Sequence, residues 1–213
     1  MPKKHISFVL LLVLAASACA AQKQEEPAQP QDKQSQYASL LERVNEGDLS
    51  IDFQQLRFSY MDSPERHKAK DTSDQEKEMW QALNRKDYKK AVENADVVLA
   101  NQFVSLDAHF VEYRAYLELQ NASLSDFHKS VFAGLLKSIT DSGDGKTPKT
   151  AYVVISTHEE YVLLSVRGLM PGRQSLVNEG GHNYDLLEAR DPQSNQTVKL
   201  YFNVDIPFKH YLQ

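Results

Sequence analysis

One break in residue grammar constrains this chain more than anything else in it. Asp-Ser-Gly-Asp-Gly at 141–145, followed by Pro148, carries no apolar period and reads as a turn and linker. Before it, apolar residues recur at three- and four-residue spacing. After it, they gather in short runs rich in Val, Tyr, Leu and Phe, each bounded by turn residues. A helical period does not fit a pleated strand, so the two halves predict different structure. Helices followed by strands, without alternation, imply an α+β fold with an antiparallel sheet.

The first half divides into several helices. Residues 37–46 place Leu40, Leu41 and Val44 on one stripe that stops at Gly47. Asp52 and Gln55 have capping-box spacing ahead of Phe53, Leu56 and Tyr60, and Ser63-Pro64 ends the segment. Ser73 and Glu76 repeat that spacing before Met79, Trp80 and Leu83. After a break at Lys86-Asp87 come Tyr88, Ala91, Val92, Ala95, Val98 and Leu99 at helical spacing. A helix from about Leu106 is expected to bury Phe110, Tyr113 and Leu117, and one after Ser123 to bury Phe127, Val131, Leu135 and Ile139. Small Ala91 and Ala95 let antiparallel helices approach closely, as in tetratricopeptide hairpins. Few positions recur at that period, so a plain helical half-core is the better reading.

In the second half, strands are expected at 151–156, 161–167, 184–190 and 197–204, about four in all. Residues 157–160 would close the first hairpin and 191–195 the last, while 173–177 adds a short strand to the connection between. Leu200, Phe202 and Val204 would line one face, Tyr201 and Asn203 the other. Asp141 and Asp144 lack the remaining ligands of a calcium loop, so Gly143 and Gly145 are read as residues of positive φ in a tight turn.

The N-terminus carries an address. Lys3 and Lys4 precede an apolar run at 6–16 and then Ala-Ser-Ala-Cys, the three parts of a secretory signal. The run is about half the roughly 20 residues that span a bilayer. Residues 22–36 are polar, with Pro27 and Pro30, and too poor in apolar groups to pack. The expected organisation is a signal peptide at 1–18, a flexible tether at 19–36 and one domain at 37–213. Within that domain, 37–141 is helical, 142–150 a linker loop and 151–213 the sheet part. Cys19 is the only cysteine, which excludes an internal disulfide. The segment resembles a bacterial lipoprotein signal, which implies lipidation of Cys19 and a membrane anchor. The absence of Asp at Ala20 and Ala21 favours the outer membrane by the same resemblance. Ordinary cleavage after Ala18 or Ala20 also fits, and would leave a soluble periplasmic or secreted protein.

The chain carries a net charge of −5, and loss of 1–18 removes two lysines and no acid, giving −7. Without a basic stripe, nucleic acid is excluded as the main partner. No Gly-x-Ser-x-Gly elbow appears, Gly180-Gly181 does not open a helix, and no cofactor or metal signature stands out. His158, Glu159, Glu160 and His182 could form a two-His-one-carboxylate site or an acid–base pair on neighbouring loops. His109 and His128 read as hydrogen-bonded core histidines, and Trp80 and Tyr88 as members of an amphipathic pattern.

Six phrases carry a family resemblance: DLSIDF at 48–53, LRFSY at 56–60, SITDSGDG at 138–145, EEYVL at 159–163, GGHNYD at 180–185 and LYFNVD at 200–205. Together they resemble the bacterial domain-of-unknown-function family 4919, which implies an exported bacterial protein with a helical part joined to a β part. It implies no catalytic residue. The expectation is a non-catalytic binding or scaffolding module of the cell envelope with a protein or peptide partner. The alternative is a small periplasmic hydrolase or metal-dependent enzyme using His158, Glu159, Glu160 and His182.

Overall fold

The computed structural model describes residues 35–211, so the leader, Cys19 and nearly all of the tether lie outside the described residues. Seven helices come first: α1 (Gln36–Asn45), α2 (Phe53–Met61), α3 (Pro64–Lys68), α4 (Ser73–Asn84), α5 (Tyr88–Asn101), α6 (Leu106–Glu118) and α7 (Ala122–Thr140). A short 3-10 turn (Pro148–Thr150) leads to β1 (Tyr152–Val153) and α8 (Thr157–Val166). The chain continues through β2 (Met170–Glu179), β3 (His182–Arg190), β4 (Thr197–Asn203) and α9 (Asp205–Tyr211). The α+β layout therefore holds.

Local chemistry starts most helices. The Asp52 carboxylate accepts from the Gln54 and Gln55 amides, and Asp87, Ser105 and Asn121 cap α5, α6 and α7 in the same way. Helix α4 is capped one residue earlier than the Ser73 reading, at Thr72, whose hydroxyl bonds the Glu76 carboxylate.

Two apolar clusters form. In the smaller, α4, α5 and α6 meet over a seam of fully buried Ala82, Ala91, Ala95, Ala108 and Ala115 with Met79 and Val111. The close approach expected from Ala91 and Ala95 is present. On α6, however, the seam selects the small residues, not the predicted aromatic row. Leu117 is 48% exposed, and Phe110 and Tyr113 are half-buried. In the larger cluster, Leu56, Tyr60, Val131, Leu135 and Ile139 pack with Tyr152, Leu163, Leu187, Leu200 and Phe202, so helices and sheet share a core.

The sheet order is β1-β4-β3-β2. Strand pairs β2·β3 and β3·β4 are antiparallel, but β1 pairs with β4 in parallel, so the sheet is mixed and not wholly antiparallel. Leu200, Phe202 and Val204 are buried on one side and Tyr201 and Asn203 are half-buried on the other, as alternation predicted. The predicted strand at 161–167 and its hairpin turn at 157–160 are instead helix α8. Its end is a Schellman motif: Gly168 at φ +68° donates to the Ser165 carbonyl, and the Leu169 amide reaches back to Leu164. Strand β1 is shorter than 151–156, while the segment expected around 173–177 is the ten-residue β2. In the linker, only Gly145 has the expected positive φ, +71°. Gly143 is required for space, because a Cβ there would lie 2.3 Å from the Thr150 carbonyl oxygen.

Candidate functional site

Helix α8, expected from its pattern to be a strand, separates the candidate residues. Consecutive helical residues point about 100° apart, so His158, Glu159 and Glu160 face three environments. Glu159 enters the core against α2. Its Oε1 accepts from Arg57 Nε at 2.8 Å and its Oε2 from Arg57 Nη2 at 2.5 Å, a bidentate pair closed to solvent. Arg57 also donates to Ser138 Oγ and the Val153 carbonyl, and the Ile155 amide donates to Glu159 Oε2 at 2.8 Å.

Glu160 is fully buried towards the sheet, where neither carboxyl oxygen meets a donor. Burial, and then the adjacent Asp185 carboxylate, push Glu160 up to about 9. The protonated acid then donates to Asp185, which also accepts from Gln174 Nε2 at 2.7 Å. His182 lies at the β2–β3 turn, exposed, its Nδ1 2.6 Å from Asp205 Oδ2. The Asp205 carboxyl sits below the usual range because the Asn183 amide and His182 bond it, against the effect of burial. Glu159, Glu160 and His182 thus have separate partners; His158 and Glu159 line one cleft, and Glu160 and His182 lie outside it. Asp144 bonds the Lys146 amide and the Thr150 hydroxyl, and Asp141 pairs with Lys137, so both build the turn. Among the described residues, no group of three or more His, Cys, Asp or Glu is arranged to hold a metal.

His109 and His128 are buried, as read, and bridge α6 to α7. His109 Nε2 lies 2.8 Å from the Phe103 carbonyl, which only accepts, so that nitrogen carries the hydrogen. Burial, then the neighbouring His128, push His109 down to about 3, leaving Nδ1 a lone pair. His128 Nδ1, 3.0 Å away, must donate to it, and His128 Nε2 lies 2.7 Å from Glu112 Oε2. Every ring nitrogen is occupied, and the cluster has no imidazole left for a substrate.

One open groove lies where α8 crosses α4 and α6. Two adjoining clefts, about 240 and 270 Å3, share Trp80, Asp107, His158 and Val162 in their walls. The apolar end holds Phe110, Phe132, Tyr161 and Val166, with Trp80 and Phe110 ring centres 5.8 Å apart and Phe110 and Phe132 5.6 Å apart. The polar end holds Glu76, Lys77, Ser105 and Ser156. Asp107 stands at the junction, in the first turn of α6. Burial pushes its carboxyl up, while the nearby His158 lowers it. Trp80 and His158 were singled out in the sequence. Asp107, Phe110 and Phe132 were not seen as groove residues, because the helix that completes the wall was read as a strand.

No curated protein and no solved structure matches the chain. One family does, described as Domain of unknown function (DUF4919), over residues 25–213. The chain belongs to this family, as its six phrases implied.

Proposed function

We propose that this protein is a non-catalytic binding module of the bacterial cell envelope, tethered through lipid on Cys19 and facing the periplasm. Its groove takes a peptide segment of a partner protein that offers an apolar side chain beside a cationic one. The observation that carries this reading is the groove itself, aromatic at one end and lined by Asp107 and Glu76, with a single Lys77, at the other. Aromatic walls supply area at small entropic cost, and the half-buried Asp107 carboxylate, which forms no salt bridge among the described residues, suits a Lys or Arg. The polar stretch at 22–36 supports the tether, since it gives the domain reach without a core of its own.

Trp80 is the only tryptophan, so its fluorescence reports on the groove alone. Titration with short peptides pairing Phe or Leu with Lys should give a saturable change in emission. Asp107→Asn should weaken that binding about tenfold, the worth of one charge-assisted contact. Flat titrations across such peptides, or an unchanged affinity in the variant, would refute the groove reading. For the tether, intact mass of the mature protein should show acyl chains on Cys19 and partition into detergent. An unmodified thiol in the aqueous phase removes the anchor.

A further inference from the structure

Strand β2 ends the sheet, and among the described residues nothing pairs with its outer edge. Edges of this kind are ordinarily short, covered or broken, because unpaired amides and carbonyls template another strand. This one runs ten residues, eight of them exposed, and it presents Leu176 at 56% exposure. On the helix packed above it, Tyr161 is 41% exposed and bonds Gln174 through its hydroxyl.

We infer that β2 is a self-pairing edge, joining two copies of this chain into one antiparallel sheet about a two-fold axis at Leu176. The occupant follows from the strand's own order of charges. A two-fold antiparallel pairing keeps each side chain on its own face, so only registers that match odd positions with odd and even with even are allowed. Centred on Leu176, residue 173 opposes 179, 174 opposes 178, and 175 opposes 177. Arg173 then meets Glu179 of the second copy at both ends of the seven-residue ladder, Gln174 meets Asn178, and the two Leu176 side chains touch on the axis. Moving the centre one residue either way sets Arg173 against Val177 or Glu179 against Ser175 and loses both ion pairs. At the strand's start, the irregularity between Met170 and Arg173, with Pro171 lacking an amide, ends the ladder just beyond this overlap. The pairing is independent of the groove.

The register gives a position-specific test in the full chain. Residues opposed on the axis have Cα atoms about 4.5–5.5 Å apart, within reach of a disulfide. Leu176→Cys should therefore crosslink to itself under mild oxidation. Asn178→Cys lies on the same face but opposes Gln174, about 13 Å from its own copy, and should not. The native sequence, which carries only Cys19, is the control. Sedimentation should report a dimer, weakened about tenfold by Arg173→Glu and restored when Glu179→Arg is added. A monomer at all concentrations overturns the inference. So does equal crosslinking from 176 and 178, or a charge reversal that the second substitution fails to rescue.

Discussion

Replacing Arg57 with Ala should cost about 3–5 kcal/mol of folding stability, because it strands the Glu159 carboxylate in the core. Few single changes in this chain should cost more. The guanidinium is fully buried and satisfies Glu159, Ser138 Oγ and the Val153 carbonyl together, tying α2 and α7 to the segment around β1 and α8. Against a total of roughly 5–15 kcal/mol for a domain, such a loss unfolds a large fraction of the protein at moderate temperature. Glu159→Leu should be similarly harmful, since it leaves Arg57 buried without its counter-ion. The pair R57M/E159L should fall short of the sum of its singles by more than about 2 kcal/mol, because the second change removes the charge that the first had orphaned. Urea titrations of the four proteins close the cycle. Additivity within about 0.5 kcal/mol would mean that the two side chains do not depend on each other.

The second large effect has the opposite sign. Glu160 holds its proton in the folded protein up to about pH 9, against an ordinary value of 4.5. An acid held that high contributes its full stability below the unfolded value and loses it as pH rises towards the folded one. Between 4.5 and 9 the unfolded chain has released the proton and the folded chain has not, so stability falls by about 1.4 kcal/mol per pH unit from this group alone. Glu160→Gln keeps a donor for Asp185 at every pH. It should raise stability at pH 7 by about 2 kcal/mol, change little near pH 4.5, and flatten the slope between. The wild-type-minus-variant difference isolates this group, since the other titrating residues are common to both. Parallel stability curves for the two proteins, or a variant weaker at pH 7, would show that no proton is held there.

Much of this was legible because local chemistry and tertiary need agreed. Asp52 caps α2 in sequence and in structure, and Leu200, Phe202 and Val204 alternate into the core as their period requires. The misreading at 157–167 has a physical cause. Tyr-Val-Leu-Leu-Ser-Val is short, apolar and partly β-branched, and a run buried on one side looks alike as helix or strand. The deciding signals flanked it: Glu159 and Glu160 in a first turn after Ser156-Thr157, and Gly168 two residues beyond the end. On α6 the period predicts the helix but hydrophobic size does not predict its buried face, which is the small-residue one. Helices sliding together over alanines leave no room there for Phe110 or Leu117. The groove was illegible for a further reason, since its wall joins residues about 80 apart (Trp80 and His158) through a helix not foreseen.

The sheet order carries one more consequence. The last strand made is not an edge: it fills the slot between the first strand and the third, where Tyr152 finds Phe202 fifty residues downstream. Until this keystone is made, the arch above it stands open. A chain truncated before residue 197 would lose the piece that makes one sheet out of a lone dipeptide and a hairpin.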